Sequence, residues 1–313
     1  MSTSASSPTA ALSAAERAQI QRANVSGLHP VVFVHGLWLL PASWQSWAEL
    51  FEEAGYIALT PGWPGDPATV AEANANPGAM ANKTVGQVAD HLSTVIAQLE
   101  RKPAIVGHSF GGLLAQILAG RGQSAVTVAI DPAPFRGVLP LPLSALKASW
   151  PVLGNLANRN RAVPLSYAQF RFAFANAVSE LEAQALYRDF AVPAPGAPLF
   201  QAATANINPW TQVQVDTLNQ ERGPLLVVSG EKDNTVPWAM AHAAFRQQQV
   251  NPGLTEIVEI PGRGHSLTID SGWHEVADTV LAFVRRFAVA DSWESAYLPE
   301  DERVDRRVTA STF

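Results

Sequence analysis

The sequence predicts an α/β fold in which a doubly wound, mostly parallel sheet carries an inserted helical lid. Short, continuous apolar runs alternate with helical apolar stripes in both halves of the chain. Such runs are typical of strands that are buried on both faces of a parallel sheet. The alternation stops between residues 135 and 210, where no clear strand is present and capping-box patterns open helices. We therefore expect one sheet that is interrupted by a helical insertion.

The first half of the sheet is predicted from its apolar runs and from the helices between them. A helix begins near Ser43 and ends at Gly55, and Thr84 caps the helix that follows. The connection from Thr60 to Lys83 contains four prolines and three glycines. Because it is too long for an ordinary connection, we expect a functional or mobile loop beside the site. The strands predicted for this half are Val31–Val34, Tyr56–Leu59, Ala104–Val106 and Ala125–Ile130.

The second half of the sheet is predicted to resume after the helical insertion. Inside the insertion, Ser166-x-x-Gln169 and Ser179-x-x-Glu182 read as capping boxes. The later elements are a strand at Leu225–Ser229, a helix near residues 237–249, a strand at Glu256–Ile260 and a final helix near residues 270–287. The predicted parts are a flexible arm (1–24), the first part of the core (25–134), the lid (135–210), the second part of the core (211–288) and an acidic tail (289–313).

Composition excludes several classes of protein. The net charge of −6 argues against nucleic-acid binding, and the absence of cysteine excludes disulfides and thiolate catalysis and favours a cytoplasmic location. No apolar run reaches the roughly 18 residues of a membrane span, and the first residues do not resemble a secretory signal. No metal-ligand or dinucleotide motif is present, so we expect neither a metal nor a cofactor. The sequence carries no signal for an oligomeric state.

The pentapeptide Gly107-His108-Ser109-Phe110-Gly111 lies between a predicted strand and a predicted helix. A sharp strand-to-helix turn strains the central residue and requires small residues two positions to either side. The glycines at 107 and 111 meet that requirement. The turn projects the serine hydroxyl at the amino end of a helix, where free N–H groups favour a developing oxyanion. This context predicts that Ser109 is a nucleophile.

Chemistry-bearing residues follow four of the predicted strands. In an open parallel sheet, ligands bind beyond the carboxyl ends of the strands, so these positions are the ones that meet at one edge. His35-Gly36 follows the first strand, Ser109 the third, Asp233 the strand at 225–229, and His265 the last strand. A nucleophile, an acid and a base therefore occur in that order along the chain.

These motifs resemble the α/β-hydrolase superfamily, specifically its lid-bearing group related to esterases, cofactor-free haloperoxidases and C–C hydrolases. The resemblance covers roughly residues 25–288. The matching pieces are His35-Gly36-Leu37-Trp38, Gly107-His-Ser109-Phe-Gly111-Gly, Gly230-x-x-Asp233-x-x-Val236-Pro237 and Gly264-His265-Ser266. Serine at position 109 is unlike haloalkane dehalogenases and epoxide hydrolases, which resemble this group but have aspartate at that position.

The resemblance implies a role for each matched residue. Ser109 would be the nucleophile, His265 its general base and then acid, and Asp233 the carboxylate that orients the imidazole. The backbone N–H groups of Leu37 and Phe110 would form the oxyanion hole. The implied reaction is hydrolysis of small to medium apolar carboxylic esters through an acyl-enzyme. The expected partner is a small ester-like substrate.

Several alternatives stay open at the level of sequence. Asp131 also follows a strand, and some relatives place the triad acid there. Trp38, Phe170 and Phe174 are predicted to contact substrate, although an aromatic cluster can equally be core. Amide, thioester or C–C cleavage and perhydrolysis could use the same triad. A ligand receptor or scaffold with little turnover is the alternative outside enzymes.

Overall fold

The computed structural model describes residues 11–288 and contains a six-stranded parallel sheet flanked by helices. The strands are His29–Val34 (β1), Tyr56–Leu59 (β2), Ala104–His108 (β3), Val126–Ile130 (β4), Ala162–Val163 (β5), Ala194–Pro195 (β6), Leu225–Gly230 (β7) and Thr255–Ile260 (β8). The helices are Ala14–Ser26 (α1), Gln45–Glu53 (α2), Val70–Ala75 (α3), Val85–Ile96 (α4), Phe110–Gly120 (α5), Leu143–Leu153 (α6), Tyr167–Ala173 (α7), Glu180–Phe190 (α8), Ala197–Thr204 (α9), Trp238–Gln248 (α10) and Trp273–Arg285 (α11). The predicted fold class is confirmed.

Strands β1, β2, β3, β4 and β7 are buried on both faces, as their continuous apolar runs require, whereas the edge strand β8 is largely half-buried. Val32 and Val34 of β1 pack into one core with α4 and α5, whereas Val31 and Phe33 pack into the opposite core with α2 and α11. The strand order is β2-β1-β3-β4-β7-β8, with parallel pairing throughout. The carboxyl ends of the central strands therefore meet at one edge, and the loops that follow them are brought together there.

The turn from β3 into α5 has the backbone that the pentapeptide predicts. Ser109 has φ 57° and ψ −121°, a backbone conformation that residues other than glycine rarely adopt. A Cβ atom on Gly107 would overlap the carbonyl of Gly111, and one on Gly111 would overlap the carbonyl of Val34. Only glycine at both positions lets β1, β3 and α5 approach this closely.

The described part of the segment predicted as a flexible arm is instead a docked helix. Ser13 and Glu16 form a reciprocal capping box at the start of α1, and Ile20 and Ala23 are buried in the core. Glu16 also contacts His91 of α4 at 2.6 Å. Capping, apolar burial and this polar contact together fix the helix. Residues 1–10 and the predicted acidic tail at 289–313 lie outside the described residues.

The segment between β4 and β7 contains helices α6 to α9 together with a short antiparallel ribbon, β5–β6, that the sequence pattern did not predict. The capping box at Ser166 is complete. At Ser179 the hydroxyl caps α8, but the Glu182 carboxylate accepts the Ser271 N–H at 2.6 Å instead of reciprocating. Whether the segment acts as a lid stays a prediction.

In residues 11–288, no helix is both long and apolar enough to cross a bilayer.

Candidate active site

His265 and Asp233 are in direct contact at the carboxyl edge of the sheet. The Nδ1 atom of His265 lies 2.6 Å from Oδ2 of Asp233, and neither side chain is exposed. The other carboxylate oxygen accepts the N–H groups of Thr235 at 2.6 Å and Val236 at 2.9 Å. These contacts fix the carboxylate, which in turn fixes the ring. Nε2 of His265 is buried and has no hydrogen-bond partner within residues 11–288.

Ser109 is held by its backbone while its hydroxyl stays free. Its N–H donates to the Ile130 carbonyl at 2.9 Å, and its own carbonyl accepts the Ala133 N–H at 3.0 Å. Within the described chain, the Ser109 hydroxyl forms no hydrogen bond, so the contact with His265 Nε2 is not made. In enzymes without substrate, a nucleophile–base contact is often long and tightens only when the substrate binds.

Two N–H groups are available beside Ser109. Phe110 is the first residue of α5, so its N–H has no acceptor in the helix and lies at the positive end of the helix dipole. The Leu37 N–H has no acceptor among the described residues. A Cβ atom on Gly36 would lie 2.8 Å from the Ser109 Cβ, so the peptide that carries the Leu37 N–H packs directly on the turn.

Asp131 is a second buried carboxyl group near His265. Its Oδ1 accepts the Gly230 N–H at 2.8 Å, whereas its Oδ2 lies 3.9 Å from His265 Nδ1, beyond hydrogen-bond distance. Burial first, and then the negative charge of Asp233, raise the pKa of Asp131 well above its usual range. The protonated form is therefore favoured. Of the two candidate acids, the geometry favours Asp233 as the partner of His265.

His108 also packs against His265, and the centroids of the two rings are 4.6 Å apart. Burial, and next the charge of His265, lower the pKa of His108 well below its usual range. A neutral His108 would not oppose a positive charge on His265. His108, Asp131 and His265 also have possible metal-ligand atoms within 4.8 Å of one another. The contact of His265 Nδ1 with Asp233 leaves only Nε2 of that ring for a metal ion, and we assign no metal site to this group.

A cavity of about 230 Å³ opens onto Ser109. Its other polar side chains are satisfied internally: Ser149 donates to the Ala145 and Leu146 carbonyls of its own helix, Asn206 pairs with the backbone of residues 137 and 138, and Thr235 donates to a carbonyl of α7. Among residues 11–288, no charged side chain lines the cavity. It therefore offers an apolar wall and one free hydroxyl. The apolar lining includes Phe135, Val138, Leu139, Leu141, Leu146, Leu153, Leu199, Val236 and Met240.

The three aromatic residues predicted to contact substrate lie in different environments. Trp38 lines the cavity, and its indole N–H donates to the Val163 carbonyl at 3.0 Å. Phe170 and Phe174 are buried, stack on each other with centroids 5.1 Å apart, and do not line the cavity. Phe174 packs edge-on against His265 at 4.8 Å. This contact between Phe174 and His265 restricts the movement of the imidazole ring.

Two residues near the site were not singled out from the sequence. Asp66 and Lys83 belong to the connection predicted as a functional or mobile loop, yet both side chains are buried against the loop that follows β1. The signal that could have found them is an acid and a lysine at either end of an alanine-rich segment, residues 67–82. Neither has a periodic pattern that marks it as buried.

A parallel sheet, a strained serine turn and a His–Asp contact at the same sheet edge are the architecture of α/β hydrolases. The sequence model of the alpha/beta hydrolase family matches residues 31–279, and the chain belongs to that family. A search of curated proteins gives no match.

Solved structures share the fold at low sequence identity. A monoacylglycerol lipase from Paleococcus ferrophilus is 21% identical with a TM-score of 0.58, and the alignment covers 82% of this chain and 94% of the lipase. An extracellular alpha/beta-hydrolase from a Paenibacillus species is 21% identical with a TM-score of 0.57, covering 81% and 98%. A thermophilic esterase from Thermogutta terrifontis is 18% identical with a TM-score of 0.59, covering 83% and 91%.

Proposed function

We propose that the protein is a serine hydrolase that cleaves small to medium apolar carboxylic esters through an acyl-enzyme on Ser109. The observation that carries this proposal is the 2.6 Å contact between His265 Nδ1 and Asp233, which leaves Nε2 free at the edge of the sheet where the strained Ser109 lies. A binding protein would have no physical need for a buried, oriented imidazole beside a strained serine. The lipase and the esterase among the structural neighbours are consistent with this chemistry.

In the proposed reaction, the Ser109 hydroxyl attacks the ester carbonyl while His265 Nε2 accepts its proton. Asp233 keeps the hydrogen on Nδ1 and stabilises the imidazolium. The N–H groups of Leu37 and Phe110 donate to the oxyanion of the tetrahedral intermediate. The intermediate collapses as His265 gives its proton to the leaving alcohol. Water then attacks the acyl-enzyme by the same route and releases the acid.

The cavity supports an uncharged, apolar acyl or alcohol group as the part of the substrate that is recognised. Its volume of about 230 Å³ is many times the space that a single water molecule requires. The described part of the chain provides no cationic side chain in the lining to pair with a carboxylate, and no acidic one to pair with an ammonium group. We therefore expect esters of medium chain length to be preferred over esters that carry a charge on the same chain.

The test combines a panel of p-nitrophenyl esters from acetate to palmitate with intact-mass measurement after treatment with a fluorophosphonate. We expect turnover with a maximum at medium chain length, one covalent label on Ser109, and loss of both in Ser109→Ala. A label on another serine contradicts the proposal. Turnover of amides, thioesters or C–C bonds without ester turnover would assign a different reaction to the same residues. Tight ligand binding without turnover or labelling would support a receptor.

A further inference from the structure

A buried charge cluster, formed by His35, Asp66 and Lys83, lies behind the loop that carries the Leu37 N–H. The side chains are 2%, 5% and 7% exposed. Asp66 Oδ2 lies 3.0 Å from His35 Nε2 and accepts the Trp63 N–H at 2.8 Å, and Oδ1 lies 2.5 Å from Lys83 Nζ. Burial raises the pKa of Asp66, but the contacts and charges of His35 and Lys83 outweigh it and lower the pKa below the usual value. Asp66 is thus an ionised anchor.

The anchored ring holds one particular peptide group. The second ring nitrogen of His35, Nδ1, lies 2.9 Å from the Gly36 carbonyl oxygen. Because this carbonyl and the Asp66 carboxylate are both acceptors, both ring nitrogens must carry a hydrogen for the two contacts to be hydrogen bonds. That carbonyl and the Leu37 N–H belong to the same planar trans peptide, so they point in opposite directions. A carbonyl that is tied back to His35 therefore aims the N–H away from His35. Since Gly36 packs on Ser109, the direction of this peptide decides what faces the serine.

We propose that His35 is a positioning residue for the oxyanion hole: its Nδ1–H holds the Gly36 carbonyl so that the Leu37 N–H faces the Ser109 adduct, and Asp66 and Lys83 fix the ring. Gly36 has no Cβ to restrict its own dihedrals, so the peptide needs an outside restraint. A rotated peptide would present a carbonyl oxygen to the oxyanion, which is repulsive. This inference rests on the proposed function, because Leu37 matters only if an oxyanion forms at Ser109.

A matched pair of substitutions separates the two contacts of the ring. In His35→Asn, the side-chain amide reaches the position of Nδ1 and can still donate to Gly36, but it loses Asp66. In His35→Gln, the amide reaches the position of Nε2 and keeps Asp66, but it loses Gly36. A purely structural histidine would suffer more from His35→Asn, because that change leaves a buried carboxylate without one of its partners.

We expect His35→Gln to lower kcat by about 10²-fold, comparable to removing an oxyanion donor, with KM changed by less than about threefold. We expect His35→Asn to keep kcat within about fivefold of the wild type, although it unfolds at a lower temperature. Retained kcat in His35→Gln, or equal loss in both variants, overturns the proposal. Wild-type ester turnover that disappears in Ser109→Ala is measured alongside, so a failure of the proposed function is seen separately.

A structural measurement keeps the inference testable if either variant fails to fold. In a crystal structure of the wild-type protein carrying a phosphonate on Ser109, we expect the phosphonate oxygen within hydrogen-bond distance of the Leu37 nitrogen and the Gly36 carbonyl still on His35 Nδ1. An adduct whose oxygen does not reach the Leu37 nitrogen overturns the proposal. So does one in which the Gly36 carbonyl has left His35 while the Leu37 contact persists.

Discussion

At the scale of single residues, Ser109 combines a chemical role with an unfavourable backbone. Its φ of 57° and ψ of −121° lie in a region that glycine adopts freely and alanine does not. We therefore expect Ser109→Gly to be more stable than Ser109→Ala, with a free energy of unfolding about 1 kcal/mol higher, since only glycine relieves the strain. Urea unfolding of both inactive variants measures this difference. A less stable glycine variant would mean that the turn is not strained.

Asp233 and Asp131 offer a direct comparison of two buried carboxyl groups. Because Asp233 contacts His265 Nδ1 at 2.6 Å and Asp131 only at 3.9 Å, Asp233→Asn should lower kcat by up to about 10⁴-fold through the wrong histidine tautomer. Asp131→Asn should lower kcat far less, because Asp131 lies beyond hydrogen-bond distance of His265 and the asparagine Oδ1 can still accept the Gly230 N–H. Ester kinetics on folded variants provide the comparison. A selective loss in Asp131→Asn would reassign the acid.

At the scale of elements, α9 and α7 have different relations to the cavity. Ala202 of α9 lines it and is half-buried, whereas Phe170 of α7 is fully buried and does not line it. Ala202→Phe should fill part of the cavity and lower the preference for long over short acyl chains about tenfold, with little change in stability. As the contrasting variant, Phe170→Ala should cost about 3–5 kcal/mol of unfolding free energy. Chain-length preference that shifts only in Phe170→Ala would contradict this assignment.

The sequence predicts the regular elements well, because a strand that is buried on both faces needs apolar side chains at consecutive positions. Strand β2 has the predicted bounds, Tyr56–Leu59, and β7 extends the predicted run by one residue to Gly230. The turn at Ser109 is predictable because its glycines are a local steric requirement. The roles proposed for Ser109, Asp233 and His265 stay predictions. The observed His265–Asp233 contact is the one that the resemblance implies.

What the sequence could not provide are contacts between irregular segments. Asp66 contacts His35 and Lys83 contacts Asp66, but the connection that contains Asp66 and Lys83 has no periodic spacing of apolar residues that would predict their burial. The packing of Phe174 on His265 depends on how α7 docks, which spacing along α7 cannot specify. The ribbon β5–β6 pairs only two residues on each strand, too short for alternation to be recognised.

At the scale of the whole molecule, helix α1 is attached to the sheet domain through a buried polar contact. Glu16 lies 2.6 Å from His91 Nε2 and accepts the Ser13 N–H at 2.7 Å. Burial raises the pKa of Glu16, but these contacts outweigh it and lower the pKa below its ordinary value of 4.5. The folded state therefore binds fewer protons than the unfolded state near that pH. The stabilising effect is present above about pH 4.5 and is lost as the pH falls through the lower folded value.

We expect Glu16→Gln to flatten this acid dependence. The wild-type free energy of unfolding should fall more steeply than that of the variant as the pH drops from about 5 to about 3. Urea unfolding at several pH values measures both slopes. Glu53→Gln is the matched control, because Glu53 is exposed on α2, and its slope should equal that of the wild type. Equal slopes for the wild type and Glu16→Gln would show that the contact contributes nothing in acid.

Both ends of the described chain run along the edge strand β2. Arg22 of α1 donates to the Ala58 carbonyl at 2.8 Å, and the Tyr56 hydroxyl donates to the Ala288 carbonyl at 2.6 Å. No residue of α1, β2 or α11 lines the cavity. In a chain shortened to residues 11–288, a fusion partner joined directly to Ala288 would therefore start at this edge, away from the residues that line the cavity. The shared contact with β2 likewise favours circular permutation of a chain trimmed to residues 11–288, with a linker that runs along this edge and new termini opened elsewhere on the surface.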